Sequence, residues 1–314
     1  MFQKIKKIVR KIQKETLTLL QPKKNPYTIN IDENKVSDGA YKAAENIRGK
    51  HQPSLMIYGV TTRSGTNYIA NLLALHQDIV ASPNQVWEVP FLRHINHIMD
   101  FEDAYFRFEN LSKNMKKHDF LALFGASFLS YLHSFVSPEK KMLVKEPNAN
   151  YLFYFPIVFP NEELILVLRD GRDVVYSTLK SWPERDFKEV CQRWNDNARL
   201  MLQFYSKHKG NSAYMFVKYE DVVADPEKFI TRVCEIYSLD LSKFQLGKVE
   251  SMPVVGSSVA SQDDGKVNWK NVDRPSDFNP VGRWQSWSAK EKRIFKQIAG
   301  QTLFDAGYCE DLNW

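Results

Sequence analysis

Cysteine is scarce in this chain: Cys191, Cys234 and Cys309 are the only three in 314 residues. None stands at metal-ligand spacing from another. This excludes a disulfide-stapled scaffold and a cysteine-based zinc module, and an odd, sparse set points to a reducing compartment. Long hydrophobic runs are also missing. No stretch reaches the ~18 apolar residues of a membrane span, and the basic N-terminus lacks the apolar block of a secretory signal. A cytoplasmic protein, peripheral at a membrane if associated with one, is the expectation. Internal repeats and low-complexity tracts are absent. A net positive excess is missing too, once one segment is set aside. Residues 1–26 hold eight Lys/Arg against the single acid Glu15, a charge of +7, so the chain's net +6 leaves −1 for all the rest. A body without a basic excess does not read as a nucleic-acid binder.

What is present is an ordinary globular composition, 43% hydrophobic and 25% charged. In residues 1–20, Phe2, Ile5, Ile8, Val9 and Ile12 recur at three-to-four spacing opposite lysines. This is an amphipathic basic helix, ended by the prolines of "QPKKNP". Either it packs on the body or it lies on an anionic membrane surface. We therefore divide the chain into a basic N-terminal helix (1–26), a polar lead-in without a strong period (27–54) and one large domain (55–314). In that domain, short apolar strands at 55–60, 141–145, 164–168 and 214–218 alternate with helical runs at 67–75, 120–135, 172–181, 187–207 and 289–304. Such alternation predicts an α/β fold, a mainly parallel sheet flanked by helices on both faces. Ligands of such folds bind beyond the carboxyl ends of the strands, so the informative residues follow each strand.

The first strand runs into "TTRSGTNY". A nucleotide-triphosphate loop reads GxxxxGK[ST]. Here Gly59 and Gly65 are one residue too far apart, no Lys follows Gly65, and the basic residue, Arg63, precedes it. The strand-turn-helix still aims backbone N–H groups at an anion, and Ser64, Thr66 and Asn67 add side-chain donors. The blander reading is a capped turn. The third strand delivers "LRDGRDVVYS". Arg169 leaves the strand, and Ser177 lies eight residues on, on a helix that folds back toward the same end of the sheet. Together they form a candidate grip for a second phosphate, unless Arg169 is simply tied by Asp170 or Asp173. After the fourth strand, "KYEDVVADPEKF" supplies Tyr219, placed for a base edge or face, or for the core. A further helix starts at "DP".

Glu88 sits among Val86, Trp87, Val89, Pro90 and Phe91. A carboxylate desolvated in that company has a raised pKa and serves as a base near neutrality; the alternative is a salt-bridged loop acid. Lys145 ends a strand and either faces the shared pocket or is solvated. His94 and His97 form an H-x-x-H without a third ligand nearby, so no metal site is expected. The 90–136 segment is rich in aromatics, including Phe91, Phe101, Tyr105, Phe120, Phe124, Phe128, Tyr131 and Phe135. Core is the preferred assignment for them, an acceptor pocket the other.

Together, "TTRSGTNY", "LVLRDGRDVVYS", "KYEDVVADPEKF" and "VGRWQSWS" resemble the sulfotransferases that use 3′-phosphoadenosine 5′-phosphosulfate (PAPS). The resemblance runs from about residue 55 to the C-terminus, and its specificity lies in the first two motifs in order. It implies that Arg63 to Asn67 wrap the 5′-phosphosulfate, that Arg169 and Ser177 grip the 3′-phosphate, and that Tyr219 lies by the adenine. Tyr68 stands where the family often has Trp. The donor would leave as adenosine 3′,5′-bisphosphate (PAP), with no metal required. Arg63, assisted by Lys145, would stabilise charge on the breaking bridge oxygen, and Glu88 would deprotonate an acceptor hydroxyl. There are departures. Arg63 replaces the Lys of the soluble small-molecule enzymes, and their Lys-x-His base motif is not evident. Glu88 matches best the Glu base of the Golgi-type enzymes. "DDGKVNWKN" and "NPVGRWQSW", with Lys266 and Arg283, match the ligand-covering loop only loosely. The acceptor is open among small molecules, glycans and lipids. Two other classes remain: a nucleotide kinase-like phosphotransferase, disfavoured by the missing GK[ST], and a non-catalytic, membrane-associated nucleotide-binding module.

Overall fold

The computed structural model describes residues 24–107, 114–256, 271–273 and 278–314. Along the chain come α1 (Asp38–Arg48), β1 (Leu55–Gly59), α2 (Thr66–Leu73), β2 (Ile79–Ala81), α3 (Ile95–Tyr105), α4 (Asp119–His133) and β3 (Lys141–Glu146). Then follow α5 (Phe155–Val158), β4 (Glu163–Leu168), α6 (Gly171–Ser181), α7 (Phe187–Lys207), β5 (Tyr214–Lys218), α8 (Tyr219–Ala224), α9 (Pro226–Tyr237), the short pair β6 (Val254–Val255) and β7 (Asn271–Val272), and α10 (Ala289–Asp305). Residues 1–23, with the expected basic helix, and Lys266 lie outside the described residues.

Five strands form one parallel sheet in the order β2-β3-β1-β4-β5. Strand side chains alternate between two buried cores, because successive Cβ atoms point to opposite faces. Leu55, Ile57, Leu143, Ile165 and Val167 meet α2 and α9 through Ile69, Leu72, Ile230 and Val233. Met56, Tyr58, Val144, Leu164 and Leu166 meet the helices of the other face through Leu129, Val175, Trp194 and Phe295. Strands covered on both sides read as continuous apolar runs, which is why four of the five were visible in the sequence. The fifth, β2, has only three residues, at the sheet edge.

The 27–54 segment is more than a lead-in. Ser37 caps α1 through its hydroxyl (3.1 Å to Ala40 N), and Ala40 and Ala44 bury against the core. Its buried residues are the small Ala40 and Ala44, with Tyr41 and Ile47 packed beside them, so it carries few large apolar residues although it packs closely on α4.

The connections decide where a ligand goes. β1 and β4 are neighbours in register, Leu55 beside Glu163 through Gly59 beside Val167. The helix after β1, α2, covers one face; the helix after β4, α6, covers the other. The two loops diverge there and leave a crevice at the strands' carboxyl ends, the switch point at which α/β sheets bind ligands.

Candidate active site

The loop at the switch point is shaped by its own hydroxyl. Ser64 Oγ accepts from Thr61 N (3.0 Å) and donates to Thr61 O, and Ser64 N also reaches that carbonyl. Ser64 is fully buried, so it locks the turn and does not face a ligand. Arg63 is held at φ 75°, sparsely populated for a residue with a side chain, and Gly65 at φ 89°. At Gly65 a Cβ would come 2.2 Å from the Tyr219 ring, so glycine is needed for both conformation and contact. Gly65, the N-cap of α2, has no side chain to cap the helix, and the first turn of α2 opens on a cavity of about 280 Å³.

Arg63, Gly65, Thr66, Asn67 and Tyr68 line that cavity from β1, Arg169 and Ser177 from β4, and Tyr219 from β5. The structure thus brings together residues that lie far apart in sequence. It also merges the two grips that were read separately. Arg63 Nε donates to Ser177 Oγ at 3.0 Å, and Arg169 Nη1 donates to Arg63 O at 2.7 Å. Among the described residues Arg169 is not tied by an acid: Asp170 takes Arg172 instead, bidentate, with Nη2 at 2.6 Å. The Arg169 guanidinium lies over the Tyr219 ring (4.6 Å), and Tyr68 meets that ring edge-on (6.0 Å).

Arg283 joins this pair of arginines in the cavity wall. Their hydrogen bonds go to Gly256 O, Pro280 O and Asn279 O, all neutral acceptors, and among the described residues none of the three forms an ion pair. Burial, then the neighbouring Arg169 and Arg283, push the Arg63 guanidinium down to about 10. Burial, then Arg169, lower that of Arg283 too. Arg63, Arg169 and Arg283 thus crowd the wall of one cavity, an arrangement that favours a bound anion.

Glu88 lines the cavity but is not desolvated as expected: its side chain is 41% exposed and pairs with Lys145 Nζ at 3.4 Å. The adjoining Trp87 points outward, so the apolar neighbours in sequence do not enclose it. The buried carboxylate is the next one along the sheet. Glu146 is pushed up to about 7 by burial, with Glu88 adding and a hydrogen-bonded Arg93 opposing. Lys145 is buried behind Glu88, outside the cavity lining, and burial lowers its pKa while Glu88 opposes. His94 and His97 stack at 6.2 Å on an exposed surface, and no group of three metal-ligating side chains occurs among the described residues.

Sequence reading missed the wall opposite the loop. Trp182 follows α6 and sits under the guanidiniums of Arg63 (5.9 Å) and Arg185 (4.3 Å). Pro280 and Arg283 arrive from the C-terminal region because Asp173 accepts from the backbone N–H groups of Gly282 (2.7 Å), Arg283 (2.7 Å) and Trp284 (3.3 Å). The signal was Asp173 itself, the second acid of "RDGRD", considered only as an arginine partner.

A parallel sheet with an uncapped anion loop and converging arginines at its switch point defines an anion-binding α/β protein of the phosphate-loop type. The sulfotransferase family model matches residues 53–243, well over half of the chain. The chain belongs to the sulfotransferase family. It is similar to the protein-tyrosine sulfotransferase of Drosophila melanogaster, 22% identical over 191 residues, which covers 59% of this chain and 38% of that relative. It is also similar to protein-tyrosine sulfotransferase 1 of Danio rerio, 23% identical over 257 residues, covering 76% of this chain and 67% of the relative. Among solved structures, the sulfotransferase domain from the Synechococcus PCC 7002 olefin synthase shares the fold, with a TM-score of 0.50 and 18% identity over 80% of this chain and 94% of that one.

Proposed function

We propose that the protein transfers a sulfuryl group from PAPS to a hydroxyl of an acceptor, releasing PAP. The observation that carries this reading is the convergence of Arg63, Arg169 and Arg283 on one cavity, with only neutral hydrogen-bond partners among the described residues. The α2 N–H groups and Arg63 hold the 5′-phosphosulfate, Arg169 and Ser177 the 3′-phosphate, and the Tyr219 ring the adenine. Arg63 stabilises charge gathering on the bridging oxygen as the bond to sulfur breaks, an interaction stronger in the transition state than before it. Glu88 takes the acceptor's proton, and Lys145, 3.4 Å away, holds that carboxylate in place. Holding donor and acceptor in line contributes as much as the base.

The acceptor class is a small molecule, a glycan or a lipid. The two relatives above are named for protein tyrosine, which adds a peptide phenol to the acceptors worth testing. Of the wider setting, we read the free thiols as fitting a reducing, cytoplasmic compartment, and residues 1–20 as a contact for an anionic membrane. The deciding experiment is calorimetric titration with PAP and with AMP, followed by ³⁵S-labelled donor against a panel of hydroxylated acceptors. Tight PAP binding and label transfer support the reading. Turnover of ATP with Mg²⁺ would replace it with a phosphotransferase, and PAP binding without transfer to any acceptor with a binding module.

A further inference from the structure

We propose that the face formed by α3, α4 and Trp87 docks on an anionic lipid bilayer, together with the basic segment at residues 1–20. The inference rests on the membrane reading of that segment and extends it to the folded body.

The observation is a surface helix with no charge on its outer side. Between Asp119 and His133, both buried, the sequence "FLALFGASFLSYL" has no charged residue. Leu121, Ala122, Leu129 and Leu132 face the core. Phe124, Tyr131 and, just past the helix, Phe135 are 45%, 54% and 47% exposed, with Ser127 beside them. Positions 120, 124, 128, 131 and 135 recur every three to four residues, so these aromatics form one stripe. A surface helix of a globular protein ordinarily turns charged residues outward. These aromatics were expected in the core, but α4 already covers the core with its aliphatic side.

The stripe is extended at both ends. Phe101 of α3, half exposed, meets Phe120 at 5.0 Å and Phe124 at 6.2 Å. At the other end Asn84 Nδ2 reaches Tyr131 Oη at 3.4 Å, tying in the segment that carries Trp87, 68% exposed. Glu88, the next residue, lines the cavity. The apolar face therefore leads to the mouth of the candidate active site.

Charge selects the occupant. Lys24, the first of the described residues, pairs with Asp100 (2.9 Å) and Asp103 (2.8 Å), on either side of Phe101, so the described chain begins at the end of the stripe. Lys117 also pairs with Asp103, so the acids nearest the stripe are compensated. A segment of +5 over residues 1–20 that joins the body beside an uncharged aromatic face suits anionic headgroups above an apolar layer. Trp and Tyr are the aromatics that settle at that boundary. No helix among the described residues is long and apolar enough to cross a membrane, so the contact is peripheral.

The test is co-sedimentation of the full chain with phosphatidylcholine vesicles, with and without phosphatidylserine. Three variants are compared: Phe124→Glu with Phe135→Glu, the milder Trp87→Ser with Tyr131→Ser, and Lys4→Gln, Lys7→Gln and Lys11→Gln combined. Melting temperature and PAP binding report the fold. Wild type is expected to sediment only with anionic vesicles and to be released by salt, and both aromatic variants to lose about 10-fold or more in partitioning while still binding PAP. If both aromatic variants sediment like wild type and only the lysine variant is lost, the face is overturned and the segment reading stands. If wild type does not sediment at all, both fall. A wild-type dimer that the aromatic substitutions split, with vesicle binding unchanged, would instead assign the face to a second copy of the chain.

Discussion

Arg63 Nε and Ser177 Oγ, 114 residues apart, are joined by a 3.0 Å hydrogen bond across the crevice between β1 and β4. The bond places the cation of one proposed anion grip on the hydroxyl of the other. The two should therefore act as a coupled pair rather than as independent contacts. Arg63→Ala is expected to cost about 10²–10³-fold in turnover with a smaller loss of PAP affinity, as its proposed role at the breaking bond requires. Ser177→Ala and Arg169→Ala should weaken PAP by roughly 1.5–3 kcal/mol each and leave AMP nearly unaffected. In a double-mutant cycle on PAP binding, Arg63 and Ser177 should show a coupling of at least ~0.5 kcal/mol. Strict additivity, or equal losses for PAP and AMP, would dissolve the assignment.

Two carboxylates compete for the role of base. Glu88 touches the cavity; Glu146 is buried behind it with Arg93. Position outranks basicity here, since a base must reach the proton it takes. Glu88→Gln is expected to lower turnover about 10²-fold or more while PAP still binds, and an acceptor already ionised at the assay pH should recover part of the rate. Glu146→Gln should leave that acceptor dependence intact. If His94→Ala or His97→Ala abolishes turnover and Glu88→Gln does not, the base is a histidine.

The order of legibility follows the physics of each feature. Strands buried on both faces announce themselves as apolar runs, and the residues just after them are placed by topology. That is why Arg63, Arg169, Ser177 and Tyr219 were identifiable and do meet at one cavity. Direction was not legible. Ser64 turns inward to Thr61 and Lys145 sits behind Glu88, because a side chain's aim depends on tertiary neighbours. α1 hid because its buried side is alanine. The exposure of Glu88 and of the α4 aromatics was misjudged for one reason: apolar neighbours in sequence are not apolar neighbours in space.

Gly65→Ala is the sharpest test of the loop. The position has φ 89°, and its Cβ would overlap the Tyr219 ring at 2.2 Å. Strain of ~1–3 kcal/mol and displacement of the ring should follow. PAP binding is expected to fail, with a melting temperature lower by a few degrees. Because the clash is with a side chain, Tyr219→Ala in the same chain should relieve part of the thermal loss without restoring binding. A Gly65→Ala protein that binds PAP normally would mean that the loop is not the anion cradle.

Acid stability should depend on a histidine far from the cavity. His133 is buried, stacked on His51 at 4.4 Å, with Nε2 3.0 Å from Ser54 Oγ. Burial chiefly, then the charges of His51 and Arg48, push its pKa down to about 4. The unfolded chain takes up this proton near pH 6.5, while the folded chain resists until about 4. The stabilisation from the neutral form is thus complete above pH 6.5 and is lost as pH falls toward 4, by up to ~3 kcal/mol. Urea midpoints at pH 7 and pH 4.5 should fall further for wild type than for His133→Gln. Parallel falls would place the acid sensitivity elsewhere.

Asp173 holds the far wall of the cavity by main-chain contacts alone. Its two oxygens accept from Gly282, Arg283 and Trp284 N–H, and this turn carries Pro280 O to Arg169 and the Arg283 side chain to the cavity. Burial raises the Asp173 pKa, and Arg169 together with the N–H groups opposes that rise. Asp173→Asn keeps the shape but replaces one accepting oxygen with a donor. At least one of the three N–H groups then faces an NH₂, at a cost of roughly 1–3 kcal/mol. The turn should loosen before the sheet does, because it is not part of the sheet's hydrogen-bond ladder. The expected result is faster tryptic cleavage after Arg283 and a loss of about 10-fold in PAP affinity, mostly as faster release. Bound PAP should slow the cleavage in wild type, since it draws Arg169 and Arg283 to one anion. If Asp173→Asn leaves both cleavage and affinity as they were, the wall is held by something other than Asp173, and Arg283 has no part in binding.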